Sequence, residues 1–157
     1  MTLARQMRDV ARDVLFIVND FVDIALLSEA DGVHLGPDDM SVEGARRVAG
    51  DRLIIGSSAS TLDAAQAAVA AGAGYLGSGP AFPTPIKAEK QVIGPQGIAA
   101  IAHAVDIPVF AIGGIDESNV TQLTAAGLSR ICVIRAVGDA PDPEAATRRL
   151  RAMLGRR

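Results

Sequence analysis

Apolar positions along the chain fall into short blocks that alternate between two periods. Residues 14–18 (Val-Leu-Phe-Ile-Val) form a continuous apolar run that ends abruptly in Asn19-Asp20, the pattern of a parallel strand covered on both faces. Short strand-like runs follow at 32–35, 53–55, 75–78, 109–112 and 131–134. Between them the spacing becomes helical, at 22–29, 41–48, 61–71, 97–105, 118–126 and 143–153. Residues 2–13 open the chain as a helix, with Leu3, Met7, Val10 and Ala11 on one predicted face and arginines on the other. Ser41, Thr61 and Asp142 stand where N-caps are wanted, and Gly50, Gly72 and Gly127 close helical segments.

Strands alternating with helices predict a parallel α/β architecture, either doubly wound or a barrel. The polar residues decide for the barrel. Asn19 and Asp20, Asp38 and Asp39, Ser57 and Ser58, Thr84 and Lys87, Gly113 and Gly114, and Arg135 each follow the C-terminal end of a predicted strand. A barrel draws its site from every strand end in turn, whereas an open sheet concentrates it at one switch point. The expected fold is an α/β (β/α)8 TIM barrel, incomplete here, with about six βα units and the first two strands missing. Residues 1–157 are read as a single partial barrel domain. Such a barrel leaves two strand edges open to association.

Composition narrows the function classes. A hydrophobic content of 49% over 157 residues is ample for a one-domain core. A net charge of -3 and 3% aromatic residues provide neither a basic footprint nor a stacking platform, so no nucleic-acid partner is expected. The sequence offers no apolar stretch of membrane-spanning length and no secretory signal, which sets the expectation of a cytoplasmic protein with no membrane partner. Cys132, the one thiol, lies in the apolar run 131–134 and is expected to be buried and structural.

The stretch 75–87, Tyr-Leu-Gly-Ser-Gly-Pro-Ala-Phe-Pro-Thr-Pro-Ile-Lys, has the make-up of a binding loop. Gly77 and Gly79 permit close backbone approach, Pro80, Pro83 and Pro85 limit the entropy lost on ordering, and Thr84 and Lys87 offer a hydroxyl and an ammonium. A proline-rich connection with a surface lysine has the same composition. Asp20 and Asp39 follow the first and second strands. Neighbouring parallel strands lie about 4.8 Å apart, so the two carboxylates could share Mg²⁺, or each could cap the helix after it. Gly113-Gly114 precedes Asp116, Glu117 and Ser118 at an expected helix start and could turn backbone N–H groups toward a phosphate. Arg135 could add donors there or pair with Asp139. His34 and His103 suit packing or surface roles, and Phe82 suits either stacking on a heterocycle or space-filling.

Taken in order, Asn19-Asp20, His34-Leu-Gly-Pro-Asp-Asp39, Gly56-Ser-Ser58, Gly79-Pro-x-x-Pro-Thr-x-x-Lys87, Gly113-Gly114 and Ile134-Arg135-Ala136 resemble thiamine-phosphate synthase over nearly the whole chain. The resemblance implies an Mg²⁺-dependent transferase that couples a pyrimidine methyl diphosphate to a thiazole phosphate and releases diphosphate. It assigns Asn19 to the pyrimidine diphosphate and Asp20 and Asp39 to the metal. Ser58 and Lys87 would contact the pyrimidine substrate and serve catalysis, and Thr84, Pro85, Ile86, Gly114, Ile134 and Arg135 would hold the thiazole phosphate. Family members are often homo-oligomers.

The sequence departs from the family pattern in several places. The family's diphosphate-binding Gln-x-Arg-x-Lys segment, from its second strand, is missing, and a chain starting at Met1 is expected to show little or no synthase activity. Ile86 stands where a second Thr is usual, Pro37-Asp38 where Gln-Glu is more typical, and Arg135 where Ser is common. Two other readings stay open: a thiazole tautomerase-like isomerase, and a non-catalytic remnant that binds a phosphorylated ligand.

Overall fold

The computed structural model describes residues 1–85 and 91–155. Its elements run α1 (Thr2–Val10), β1 (Ile17–Asn19), α2 (Val22–Leu27), β2 (Gly32–Leu35), α3 (Val42–Ala49), a 3-10 turn (Gly50–Arg52), β3 (Ile54–Ser58), α4 (Leu62–Ala70) and β4 (Tyr75–Ser78). They continue with α5 (Gly94–His103), β5 (Val109–Ile112), α6 (Val120–Ala125), β6 (Ile131–Cys132), α7 (Arg135–Gly138) and α8 (Pro143–Met153). The expected parallel α/β alternation is present, and the strands follow chain order in a six-stranded sheet. Among the described residues, no helix is long and apolar enough to cross a membrane.

The chain forms two compact units, one of Met1–Ala59 with Asp63–Leu76 and one of Ser60–Leu62 with Gly77–Arg157. In the first, β1 pairs with β2 and β2 with β3, all parallel. Val33, Leu35 and Ile55 of these strands are buried, as are Val42, Ala45 and Ala49 of α3 and Ala65 and Ala68 of α4. The α3 positions follow an i, i+3, i+7 spacing, so one stripe faces inward while Arg47 stays exposed and the half-buried Arg46 donates to Leu53 O and Gly72 O. Ser41 caps α3 by accepting from Gly44 N–H at 3.1 Å, and Gly50 ends it with φ +57°.

In the second unit β5 pairs with β6 in parallel. Val109 and Ala111 are buried with Ile98 and Ile101 of α5, Val120 and Leu123 of α6, and Ala146 and Leu150 of α8. Asp142 caps α8 by accepting from Ala145 N–H at 2.9 Å, with Pro143 at the first helical position.

Three expectations change. The first strand begins at Ile17, because Val14 and Leu15 are exposed and the Phe16 N–H is drawn to a carboxylate, Asp31 Oδ2, at 2.7 Å. The last strand shrinks from 131–134 to Ile131–Cys132, and Cys132 is exposed rather than buried. So short a strand leaves its side chains little cover. Desolvation nevertheless pushes the Cys132 thiol pKa up from its ordinary value, which suppresses the thiolate. Finally, α1 buries none of its residues, and Leu3, Met7 and Val10 face outward.

A polar link ties α1 to the rest of its unit. Arg8 Nη1 donates to Asp31 Oδ2 at 2.7 Å, and the Arg8 guanidinium lies 5.8 Å from the Phe16 ring centroid. The Phe16 backbone N–H first, and Arg8 second, hold the Asp31 carboxyl below the usual carboxylate range. A depressed folded pKa stabilises the fold above the unfolded value, and that contribution is lost as pH falls through the folded one. The melting-temperature gap between the parent and Asp31→Asn should therefore be widest near neutral pH and close below about pH 4. Thermal melts across that range test it, and a constant gap would refute the link.

Candidate active site

The first unit places its polar groups through strand register. Asn19 of β1 stands opposite His34 of β2, and His34 stands opposite Gly56 of β3. Asp20, one residue past β1, donates its N–H to His34 O at 2.8 Å and has φ +68°. Left-handed backbone at a non-glycine residue is uncommon, and Asp and Asn are the residues that tolerate it best. The turn holds an exposed carboxylate at the strand end.

Asp39 sits in the loop after β2. Its Oδ2 accepts the Gly36 N–H at 2.7 Å, so the side chain folds back on its own loop rather than capping α3, whose cap is Ser41. That contact leaves Oδ1 for another partner. The Asp20 and Asp39 carboxylates are hard oxygen donors of the kind Mg²⁺ takes, with water and phosphate completing its shell. Among the described residues no group of three or more His, Cys, Asp or Glu side chains forms a protein-only metal cage.

Ser58 is the last residue of β3 rather than the start of a loop, since β3 runs on through the polar pair Ser57-Ser58. Its Oγ lies 3.0 Å from His34 Nε2, and His34 Nδ1 lies 3.0 Å from Tyr75 Oη. The His34 and Tyr75 rings are tilted by 32° with centroids 5.5 Å apart. Gly56 is what admits the phenol: a Cβ at that position would overlap the Tyr75 ring. His34 is thus part of a hydrogen-bonded chain rather than simple packing, and Tyr75 joins it unexpectedly.

In the second unit the loop after β4 lies on the turn after β5. Ala81 N–H donates to Ile112 O at 2.8 Å, and Phe82 N–H to Gly113 O at 3.0 Å. Gly113 and Gly114 have φ +95° and +67°. A Cβ on Gly114 would stand 2.6 Å from Pro83 O and 2.7 Å from Phe82 O. The glycine pair is therefore required by close backbone approach. Asn119, which sequence reasoning did not select, fixes the turn by donating from Nδ2 to Gly114 O at 2.8 Å and accepting the Asp116 N–H at 3.0 Å.

That contact also corrects the expected helix start. Asp116 Oδ1 accepts from the N–H of Ser118 at 2.8 Å and from its Oγ at 2.6 Å, forming a turn, and α6 begins only at Val120. The glycine turn is separated from the helix by this Asp116 turn. Thr84 is half-buried, and Pro85, Ile134 and Arg135 are exposed. Arg135 opens α7, and its backbone oxygen accepts from Asp139 N–H at 3.0 Å. Ser78 is fully buried, and its Oγ has no hydrogen-bond partner among the described residues. Ile86 and Lys87 lie outside the described residues. A cavity of about 170 Å³ lined by His103, Val109, Leu128 and Arg130 lies by the N-terminal end of β5 and contains none of the candidate residues.

The chain is similar to known proteins over most of its length. The family described as "Thiamine monophosphate synthase" matches residues 1–137. The thiamine-phosphate synthase of Haloquadratum walsbyi is 51% identical over 144 residues, covering 90% of this chain and 65% of the relative. That of Gloeobacter violaceus is 46% identical over 145 residues, covering 91% of this chain and 42% of the relative. The chain thus spans less than two thirds of either relative. Thiamine phosphate pyrophosphorylase from Pyrococcus furiosus superposes with a TM-score of 0.90 at 42% identity, over 98% of this chain and 74% of that one. A 3-hexulose-6-phosphate synthase shares the fold, with a TM-score of 0.77 at 20% identity over 97% of this chain and 79% of its own.

Gly114→Ala should cost roughly 1–3 kcal/mol, from its left-handed backbone and the two carbonyls its Cβ would meet. Denaturant unfolding measures this, and a wild-type midpoint would show that the two loops are not held together as described.

Proposed function

The chain belongs to the thiamine monophosphate synthase family, and we propose that it couples a pyrimidine methyl diphosphate to a thiazole phosphate, forming thiamine phosphate and releasing diphosphate. The observation that carries this reading is the run of family-like groups at successive strand ends, from Asn19-Asp20 at the end of β1 to Ile134-Arg135 after β6. Residues 1–157 act in it as a single partial barrel domain in the cytoplasm.

In this reading Asn19 binds the diphosphate while Asp20 and Asp39 hold Mg²⁺. The ion, when bound, neutralises charge on the departing diphosphate. Ser58 orients the pyrimidine ring, and Lys87 contacts the same substrate and offsets charge on the leaving group. The bond from the pyrimidine methylene carbon to the diphosphate oxygen breaks with its electron pair on oxygen. A lone pair of the thiazole nitrogen then forms the new carbon–nitrogen bond. Thr84, Pro85, Ile86, Gly114, Ile134 and Arg135 hold the thiazole phosphate, and the chemistry asks for no protein nucleophile. The high thiol pKa of Cys132 is in keeping with that.

A homo-oligomer is part of the same proposal, and the outward apolar stripe of α1 is surface that self-association would bury. Light-scattering mass measurements that give a monomer at every concentration would remove it. A second reading, binding of the thiazole phosphate without turnover, is favoured by Ile86 in place of the usual Thr.

The deciding experiment is a coupling assay with both substrates and Mg²⁺. Thiamine phosphate and diphosphate in equal amounts support the synthase, whereas thiazole phosphate binding without product supports the second reading. In an active protein, Asp39→Asn should raise the Mg²⁺ concentration needed for half-maximal rate by about tenfold or more, as expected for losing one of two charged ligands. Arg135→Ala should raise KM for the thiazole phosphate, and an unchanged KM would take Arg135 out of the phosphate site.

A further inference from the structure

The chain Ser58–His34–Tyr75 lies across three strands, and its chemistry constrains what Ser58 can offer a ligand. A neutral imidazole has one N–H and one lone pair. With both ring nitrogens of His34 3.0 Å from a hydroxyl oxygen, a neutral ring gives a hydrogen bond to one hydroxyl and accepts one from the other. The two tautomers therefore leave Ser58 with opposite faces. If Nε2 carries the hydrogen, Ser58 accepts it and keeps its own O–H to donate onward. If Nδ1 carries it, the Ser58 proton goes to Nε2 and only lone pairs remain.

Acidity chooses between them. A phenol, with a pKa of about 10, is a far better hydrogen-bond donor than an alkyl hydroxyl, and the oxygen of an alkyl hydroxyl is the better acceptor. Tyr75 Oη is thus the natural donor to Nδ1, and Ser58 Oγ the natural acceptor from Nε2–H. Three features support a built arrangement. His34 and Gly56 are register partners, Ser58 follows Gly56 by two residues and so shares its strand face, and Gly56 is the residue whose missing side chain leaves room for the phenol.

We infer that His34 is a positioning residue that donates from Nε2–H to Ser58 while accepting from Tyr75, so that Ser58 presents its O–H to a ring nitrogen of a heteroaromatic ligand. The inference deepens the reading of Ser58 as a pyrimidine contact and rests on it for the ligand's identity. An aminopyrimidine supplies such a nitrogen lone pair, and a ring carrying C–H at that position does not. The hydrogen bond exists before and during bond breaking, so its loss acts on binding more than on the chemical step.

The first test needs no substrate. Long-range ¹⁵N–¹H correlation spectra at pH 8 report the tautomer of each histidine, and the chain has two, so His103→Gln identifies the His34 signals. The expected result is an Nε2–H ring in the parent and growth of the Nδ1–H form in Tyr75→Phe. An Nδ1–H ring in the parent overturns the inference whatever the activity shows.

The second test uses steady-state kinetics with the pyrimidine methyl diphosphate and with analogues in which each ring nitrogen in turn is replaced by C–H. His34→Ala should raise KM for the parent pyrimidine about three- to tenfold, the worth of one neutral hydrogen bond, with kcat within about twofold. One analogue should bind poorly to the parent protein yet as well as the pyrimidine to His34→Ala. Equal discrimination by both proteins overturns the inference, as does loss of kcat without a change in KM. Tyr75→Phe, which keeps the ring volume, gives the same comparison if His34→Ala fails to fold. A parent with the Nε2–H ring that neither binds nor turns over the pyrimidine diphosphate upholds the hydrogen-bond chain, and it is the synthase reading that falls.

Discussion

Parallel pairing of β2 with β3, in the register that sets His34 against Gly56, is the constraint on which the polar side of the first unit depends. Side chains along a strand alternate between faces, so a slip of one residue would send His34 and Ser58 to opposite sides. It would also set His34 beside Ile55 or Ser57 instead of the glycine that makes room for Tyr75. The same strand holds the neighbouring loop, because His34 O receives the Asp20 N–H. One strand, β2, thus sets both the Ser58 hydroxyl, through its pairing with β3, and the backbone turn that exposes the Asp20 carboxylate, through its pairing with β1.

The second unit depends on close backbone approach instead. Ala81 and Phe82 donate to the carbonyls of Ile112 and Gly113, and Asn119 holds the Gly114 carbonyl from the other direction. Backbone groups satisfied in this way are costly to rearrange. The turn after β5 is therefore shaped by its neighbours rather than by the start of a helix, and α6 follows only after the Asp116 turn is complete.

Much of this was legible from residue patterns. The strands 32–35, 75–78 and 109–112 match β2, β4 and β5 because their apolar runs end at clear polar or glycine boundaries. Val14 and Leu15 misled because apolar character alone does not show that a residue has a neighbour to cover it. Ser57 and Ser58 misled in the opposite sense, being polar residues that nonetheless complete β3. His34 read as packing because a lone histidine in a strand carries no signal until the strands beside it are in register. The signal was there in outline: once β3 extends to Ser58, Ser58 and Gly56 share a face with the strand position opposite His34. Asn119 offered no such pattern, since its role is to hold a carbonyl that only the folded loop brings near.

Gly56 and Tyr75 are bound together by more than packing. A side chain at position 56 and a ring at position 75 claim the same space, so the two positions are not free to drift separately. A lineage that exchanged them would have to do so in one order, with the ring shrinking first and the glycine growing afterwards. The reverse order passes through an intermediate in which both groups collide beneath His34. The history open to this part of the sequence is thereby directional, and the direction is imposed by a missing methyl group.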